Sequence, residues 1–222
     1  MDRETIMILI LEYFEFENIK RMDELKHCFI LNTSSKIFDR IIIFTQLKNN
    51  HFLKELSNCE IVEIENRITY QFIFDYCNNM KSEDIFILSN SDILFDYTIH
   101  QTRQIKENDF YCISRYEIKD NVSEICQHPF WSQDVWIWKN NCRISNANFN
   151  MGVQGCDNRI ANEAKLSGYN LLNPSLSLIC KHYHFSEFRT HSDDNRIKGE
   201  YTYVEPNDIT DSKTEIKDFN YV

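Results

Sequence analysis

Short apolar runs alternate with helix-like segments through the first half of the chain, and this alternation limits the possible folds more than any other feature. The apolar runs predict strands at 5–11, 40–45, 59–64 and 85–92, and the segments between them predict helices at 19–31, 51–56 and 70–80. Strands that alternate with helices form βαβ units. The sequence therefore predicts an α/β fold with a mostly parallel central sheet flanked by helices.

Chain length and charge restrict the class of protein. A chain of 222 residues with 42% hydrophobic residues is long enough for one sizeable core, so a single domain is predicted. The net charge of −10 argues against nucleic acid as a partner, because phosphate contacts require a basic surface.

The N-terminal apolar cluster and the cysteines indicate the compartment. Residues 6–11 are too few to span a bilayer, and they lack the basic flank and cleavage site of a signal peptide. Eight cysteines are scattered without a Cys-x-x-Cys pair, which favours buried thiols over disulfides or a zinc cluster. We expect a cytoplasmic protein without a transmembrane segment, and its oligomeric state is left open.

The apolar run that begins at Ile85 leads directly into Asn90, Ser91 and Asp92. Such a run predicts a buried strand, and ligands of open α/β sheets bind beyond the carboxyl ends of the strands. Asp92 is therefore predicted at an active-site rim, where a carboxylate can hold a divalent cation that holds a diphosphate. The alternative role of Asp92 is to cap a turn or a helix.

Two clusters in the second half carry groups suited to chemistry. Asp157 follows Gly155 at the predicted start of a helix over 157–167, so it is either a functional carboxylate or an ordinary N-cap. His182 and His184 are two residues apart in a predicted strand, which places both on one face. Such a pair suits a metal ion, although structural histidines are more common.

Arg67 and the tryptophans each have a functional and a structural interpretation. Arg67 follows the third predicted strand, where it can bind a phosphate through two parallel hydrogen bonds or can simply be an exposed arginine. Trp131, Trp136 and Trp138 can stack on the faces of sugars, but tryptophans in strands usually belong to the core.

The second half is predicted to be less regular than the first. Strands are predicted at 110–114, 132–138 and 176–183, and a polar loop is expected between the first of these and Pro129. From 193 to 222 the chain is polar and acidic, so we expect a loosely packed C-terminal tail.

Taken in order along the chain, these segments resemble glycosyltransferases of the GT-A fold. The resemblance is carried by 67–70, 89–93, 132–136, 149–152, 155–161, 168–169, 173–175 and 182–184, followed by Arg189. The sequence is most similar to small viral or bacterial transferases with an Asn-Ser-Asp-Ile motif, and it also resembles a viral rhamnosyltransferase domain. The resemblance implies a single Rossmann-like, GT-A-like domain over 1–192.

The resemblance implies a metal site and a nucleotide site. Asp92 matches the last acid of the family's metal-binding Asp-x-Asp motif, and His184 matches a C-terminal histidine that completes the site for Mn²⁺ or Mg²⁺. Asn90 replaces the first acid of the motif, so diphosphate oxygens and water would supply the other ligands, and the ion would bind weakly without the donor.

The implied donor is a UDP-sugar. Its nucleotide would lie near Arg67 and near the end of the first strand at Glu12 and Tyr13. The motif residues Asn90, Ser91 and Asp92 would complete this site.

The implied acceptor is a hydroxyl group of a glycan. Asp157 matches the acid at a helix start that acts as catalytic base in inverting members of the family. Asp134 is the second candidate for the base. If neither carboxylate lies opposite the diphosphate, a retaining mechanism is favoured instead.

Two other function classes remain open from the sequence. A metal-dependent hydrolase would use Asp92, His182 and His184, but it would need further ligands. A non-catalytic GT-A-like module would bind a glycan or a partner protein. This alternative remains open because Asn90 replaces the first acid of the metal-binding motif. Selective stabilisation by UDP with Mn²⁺ would favour the transferase over the hydrolase, and only turnover would exclude the non-catalytic module.

Overall fold

The computed structural model describes residues 5–48, 50–80, 83–120, 122–186, 188 and 195–221, so Arg189 lies outside the described residues. The helices and strands, numbered in chain order, are β1 (Met7–Tyr13), α1 (Ile19–Ser34), β2 (Arg40–Thr45), α2 (His51–Glu55), β3 (Glu60–Glu63), α3 (Tyr70–Asn79), β4 (Ile85–Ser89), β5 (Ile93–Phe95), β6 (Asp109–Ser114), β7 (Tyr116–Lys119), β8 (Val122–Ile125), β9 (Gln133–Lys139), α4 (Cys156–Leu166), β10 (Asn170–Leu172), β11 (Cys180–His182), β12 (Gly199–Val204) and β13 (Ile216–Tyr221).

The central sheet has the strand order β10-β6-β9-β4-β1-β2-β3. β9 is antiparallel to both of its neighbours, and the remaining pairs are parallel. The chain moves outward from β1 to β3 and then crosses back to β4 on the other side of β1. The predicted α/β fold with a mostly parallel sheet is confirmed. The reversal of strand order between β1 and β4 creates the crevice in which such sheets bind ligands.

A hydrophobic core covers each face of the sheet. Neighbouring residues of a strand point to opposite faces, so Ile8 and Ile10 pack in the core that includes α3 and α4, whereas Leu9 packs in the core that includes α1. Trp136 and Trp138 are fully buried in the first core, where β9 crosses it. The structural interpretation of these two tryptophans is therefore correct.

A second sheet, of order β5-β11-β7-β8, was only partly predicted. The chain forms the antiparallel pair β7 and β8 where a polar loop was expected. In β8 only Ile125 is a partly buried large apolar residue, whereas Val122 is exposed, so the hydrophobic alternation is weak. β11 is shorter than the predicted strand over 176–183, because Pro174 begins a turn whose carbonyl accepts the N–H groups of Ser177 and Leu178.

The C-terminal segment packs against the domain, so the expectation of a loose tail is wrong for its described part. β12 and β13 pair as antiparallel strands, and β12 packs on α4. Tyr201 and Val204 are buried, and Lys165 of α4 forms an ion pair with Asp218 of β13. The buried residues Tyr201, Thr202 and Val204 form one short stretch flanked by charged residues, which is why the composition of the whole segment suggested a solvated tail.

No helix among the described residues has the length and apolar composition needed to cross a membrane. All eight cysteines are free thiols, and only Cys59 is partly exposed. The prediction of buried thiols without disulfides is therefore confirmed.

Candidate functional site

A cavity of about 420 Å³ lies at the carboxyl ends of β1 and β4. Of the residues selected from the sequence, it is lined by Glu12, Arg67, Asn90, Ser91, Asp92, Asp134, His182 and His184. These residues are far apart in the chain and meet because parallel strands end at the same edge of the sheet. Tyr13 and Asp157 do not line this cavity.

Tyr13 lies on the face of β1 that points away from the cavity. It is 1% exposed and packs on Phe29 and Phe52, with ring centroids 5.3 and 5.5 Å away. Its neighbour Glu12 points to the opposite face and lines the cavity. The predicted contact between Tyr13 and a nucleotide is therefore not supported, whereas Glu12, the other residue named at the end of β1, does line the cavity.

Arg67 is paired with Glu12. Its Nε and Nη2 atoms donate to the two carboxylate oxygens at 2.6 and 2.9 Å, and its guanidinium lies 3.7 Å from the centroid of the Phe14 ring. The pair of parallel N–H groups that was expected to bind a phosphate thus binds the Glu12 carboxylate. Arg67 and Phe14 instead line the cavity as a stacked pair.

Asn90 and Ser91 fix the turn after β4. The backbone N–H of Asn90 donates to the carbonyl of Asp134 at 2.9 Å, and its side-chain amide donates to the Asp134 carboxylate. The Ser91 hydroxyl donates to the carbonyl of Glu12. These bonds tie the turn to β1 and β9, and they hold Asp92 at the edge of the cavity.

Asp92 belongs to a buried ion-pair network. Its Oδ2 atom accepts a hydrogen bond from Arg21 of α1 and lies 3.2 Å from Nε2 of His182. Arg21 also donates to Glu24 at 3.1 Å. Burial alone would raise the pKa of Asp92, but His182 and Arg21 hold it well below its usual range. The carboxylate is therefore ionised.

The two histidines differ in protonation. Burial alone would lower the pKa of His182, but hydrogen bonds with Asp92 and Glu117 raise it to about 9, so this ring is protonated at neutral pH. Burial, followed by the positive charges of Arg21 and His182, lowers the pKa of His184. The Nε2 atom of His184 is buried and has no hydrogen-bond partner within the described part of the chain.

Asp92, His182 and His184 form a candidate metal centre, because each presents a ligand atom within 4.8 Å of the others. His182 is a poor ligand because both of its ring nitrogens are hydrogen-bonded to carboxylates. Asp92 and His184 do fit a divalent cation, since one is an ionised carboxylate and the other a neutral imidazole with an unsatisfied nitrogen. This mixed oxygen and nitrogen pair suits Mn²⁺ better than Mg²⁺, which prefers oxygen ligands.

A second cavity, of about 510 Å³, adjoins the first. The two share Asn90, Arg115, Asp134 and the segment 152–154 in their linings. Asp157 lies in the second cavity, together with a group of aromatic side chains that includes Trp131, Tyr203, Phe219 and Tyr221. The C-terminal strands β12 and β13 therefore form part of the site.

Asp157 lies in the first turn of α4 and is not its N-cap, because the N-cap is Gly155 with φ of 83°. Burial raises the pKa of Asp157 to about 7, against the hydrogen bond from the Asn158 N–H, and the charge of Asp134 adds to the increase. Burial therefore outweighs the helix terminus, which by itself favours the ionised carboxylate of Asp157. Its carboxyl group exchanges a proton near neutrality.

Asp134 is held on both oxygens. Oδ1 accepts from the Asn90 amide, and Oδ2 accepts from Nη1 of Arg115 at 3.2 Å. Arg115 also donates to Glu117 at 2.7 Å, which connects this pair to His182. Asp134 is thus a fixed anion between the two cavities, and Asp157 is the better placed of the two to accept a proton.

Several residues of the site were not selected from the sequence. Arg21 lies in an amphipathic helix, where nothing in the local sequence distinguishes it from a surface charge. Arg115 follows the apolar strand β6, as Asp92 follows β4, so its position after a strand was a usable signal. The aromatic residues of β12 and β13 were missed because their segment was expected to be loose.

No protein-family model matches the chain, and no curated protein matches it. Among solved structures, the mannosyltransferase PcManGT from Pyrobaculum calidifontis in complex with GDP-Man and Mn²⁺ matches with a TM-score of 0.51 and 12% identity. The match covers 83% of this chain and 59% of that chain, so the protein spans less than two thirds of the mannosyltransferase's length.

Two further structures match less well. The bifunctional IspDF from Campylobacter jejuni has a TM-score of 0.46 and 14% identity over 89% of this chain and 57% of that one. HddC from Yersinia pseudotuberculosis has a TM-score of 0.41 and 13% identity over 61% of this chain and 77% of that one. At such identities a likeness shows the fold alone, and the functional assignment depends on the site.

Proposed function

We propose that the protein is a GT-A-like glycosyltransferase, which transfers a sugar from a nucleoside diphosphate donor, a UDP-sugar in the first instance, to a glycan hydroxyl. The observation that carries the proposal is the pair of adjoining cavities that meet at Asp134 and Arg115. One contains cationic groups and candidate metal ligands, and the other contains a carboxyl group that titrates near neutral pH. Glycosyl transfer needs both, because an anion leaves on one side while a proton is removed on the other.

The first cavity supplies the donor side. Phe14, stacked under Arg67, offers an aromatic surface for the nucleobase. Arg21 and the protonated His182 line the same cavity, and their positive charges would lie near a diphosphate bound there.

The candidate metal ligands on this side are Asp92 and His184, which would hold Mn²⁺ or Mg²⁺. When bound, such an ion supplies Lewis-acid stabilisation of the leaving diphosphate. Arg21 and His182 already balance the charge of Asp92, so we expect the ion to bind weakly in the absence of the donor.

The proposed step is a displacement at the anomeric carbon. The acceptor hydroxyl oxygen forms a bond to this carbon, and the bond from the carbon to the diphosphate oxygen breaks. The electron pair of the broken bond leaves with the nucleoside diphosphate, and the hydroxyl proton passes to Asp157. Attack from the face opposite the leaving group inverts the configuration of the sugar, as in inverting glycosidases.

The experiment that tests the proposal combines nucleotide binding with turnover. Calorimetric titration with UDP, GDP, CDP and dTDP in the presence of Mn²⁺ should rank UDP first, and a screen of nucleotide-sugars should detect slow hydrolysis of one donor. A preference for GDP would change the donor class. Absence of nucleotide binding would reject the transferase, and binding without turnover of any donor would favour the non-catalytic alternative.

A further inference from the structure

We propose that the second cavity binds a sugar ring of the acceptor against an aromatic wall formed by Trp131, Tyr203 and Phe219. This inference rests on the proposed function and identifies the side chains that would recognise the acceptor. All three aromatic residues line the cavity that contains Asp157. At about 510 Å³ the cavity lies within the range of small-molecule sites.

Two aromatic side chains that line the cavity, Trp131 and Phe219, are exposed to solvent. Trp131 is 51% exposed, whereas Trp136 and Trp138 are 0% exposed. Phe219 is also 51% exposed, and its ring stacks on that of Tyr203 with centroids 6.3 Å apart and an interplanar angle of 21°. Exposed apolar patches beside a cavity mark binding sites. The C–H face of a sugar ring is an apolar surface that fits flat against such rings.

Gln133 adds an independent sign of a polar ligand. Gln133 lies in the lining of the cavity and is 1% exposed, yet the oxygen and nitrogen of its buried side-chain amide both lack a hydrogen-bond partner within the described residues. Buried amides are rarely left unsatisfied. A sugar hydroxyl can donate to the oxygen or accept from the nitrogen, so a polyhydroxylated ligand satisfies this residue where an apolar one does not.

The charges of the cavity favour a neutral acceptor. Asp134 and Asp157 line it together with two cations, Arg115 and Arg196, so its formal charges balance. Arg115 pairs with Asp134 and Glu117, and Arg196 lies over the Tyr221 ring. A phosphorylated acceptor would bring a further anion towards the carboxylates, and a lipid chain would leave Gln133 unsatisfied. A neutral sugar meets neither cost, since its hydroxyl groups donate to carboxylates and its ring covers the aromatic wall.

Tryptophan fluorescence provides a direct assay. Because Trp131 is the exposed tryptophan and the other two are buried in the core, a ligand that stacks in this cavity should change the emission of Trp131 selectively. The probes are methyl pyranosides of glucose, galactose, mannose and rhamnose, titrated with and without UDP and Mn²⁺. Saturation-transfer NMR on the same glycosides identifies which ring protons contact the protein.

Three variants make the test specific. Trp131→Ala and Phe219→Ala should weaken binding of the best pyranoside between about twofold and tenfold in the NMR titration, the usual worth of an aromatic contact. Trp131→Phe should retain most of the binding. Tyr97→Ala is the matched control, because Tyr97 is 70% exposed and lines neither cavity. Circular dichroism and UDP affinity should be unchanged in all four proteins.

The outcomes separate this inference from the proposed function. Saturable pyranoside binding that falls in Trp131→Ala and Phe219→Ala but not in Tyr97→Ala supports it. If UDP binds and no pyranoside binds, the inference is wrong while the transferase proposal stands. If pyranosides bind and no nucleotide does, the cavity is a sugar site in a protein that is not the proposed transferase.

Discussion

At the scale of single residues, the site is defined by two carboxylates with opposite electrostatic surroundings. Asp92 is buried beside two cations, which hold its pKa low, whereas Asp157 is partly buried near Asp134, and desolvation raises its pKa to about 7. The first is suited to permanent negative charge, and the second is suited to accepting and releasing a proton. Carboxylates in contrasting environments are a recurrent sign of divided roles.

Replacing Asp157 with Asn should remove the base while preserving the fold. We expect turnover to fall by roughly two to four orders of magnitude, the usual worth of a general base, with UDP affinity retained. The wild-type rate should fall as pH drops below about 7, because Asp157 becomes protonated. Steady-state rates from pH 5 to 9 check this, with the exposed Glu107→Gln as the control. Near-normal transfer by Asp157→Asn would leave Asp134 or a retaining mechanism as the explanation.

The same substitution should have a stability signature. The raised pKa of Asp157 means that the folded state binds a proton that the unfolded state has released, from about pH 4 to about pH 7. Its contribution to stability is therefore present below the unfolded pKa and lost as pH rises through 7. Asn does not ionise, so Asp157→Asn should gain about 1 to 3 kcal/mol over the wild type between pH 5 and pH 8. Urea unfolding at both pH values measures the difference, and an equal effect at both would contradict it.

The candidate metal ligand His184 allows a cleaner substitution than Asp92. Removing the Asp92 carboxylate takes away one of the two carboxylate partners of both Arg21 and His182 in a buried site, at a cost of up to about 5 kcal/mol. Nε2 of His184 has no partner to lose within the described residues, so His184→Ala should change stability little. It should weaken UDP binding in Mn²⁺ but not in EDTA, with the exposed His51→Ala as the control. Equal affinity in both media for wild type and His184→Ala would remove His184 from the metal site.

At the scale of elements, the junction between α4 and β12 holds the second cavity together. Gly155 begins α4 with φ of 83°, and Tyr201 of β12 packs directly against it. The Tyr201 hydroxyl donates to the carbonyl of Ile197, so the ring has little freedom to move. The helix that carries Asp157 and the strand pair that carries Tyr203 and Phe219 of the aromatic wall are therefore coupled at one glycine.

This coupling predicts different costs for two glycine substitutions. Gly168 has φ of 81°, close to that of Gly155, but nothing lies within 4 Å of the position of an added Cβ. Gly168→Ala should therefore cost only the backbone term of about 1 to 2 kcal/mol. Gly155→Ala should cost more, because its Cβ would clash with the Tyr201 hydroxyl and ring. The free energy of unfolding of each variant, measured against the wild type, tests this prediction. Equal losses of stability in the two variants would show that the Tyr201 side chain moves aside without an energetic cost.

At the scale of the whole molecule, the donor should act as a stabiliser. A ligand that binds only the folded state at 100 times its Kd adds about 2.7 kcal/mol. For a domain of 222 residues this corresponds to an increase in Tm of roughly 5 to 10 °C. UDP with Mn²⁺ should produce such a shift and UDP with EDTA a smaller one. An unchanged Tm under saturating UDP and Mn²⁺ would contradict nucleotide binding.

The first half of the fold was readable from the sequence, and the second half was not. The elements from β1 to β4 have strong apolar periodicity, so their type and order were predicted correctly, with boundaries shifted by a few residues. In β8 only one large apolar side chain, that of Ile125, is partly buried, so the pair of β7 and β8 could not be recognised from alternation. The C-terminal segment carries many acidic residues, and its apolar residues form only short runs. The packing of β12 on α4 is what reveals that this segment belongs to the domain.

The sequence alone determined that buried strands end in polar residues and that Asp92 stands at such an end, because hydrophobic periodicity is a local property. The tertiary structure decided what each polar group meets. In the folded protein Tyr13 packs in the core, and Glu12 lines the cavity and pairs with Arg67. Asp92 lies between Arg21 and His182. Charge and pKa depend on partners distant in the chain, and only folding brings those partners within a few ångströms.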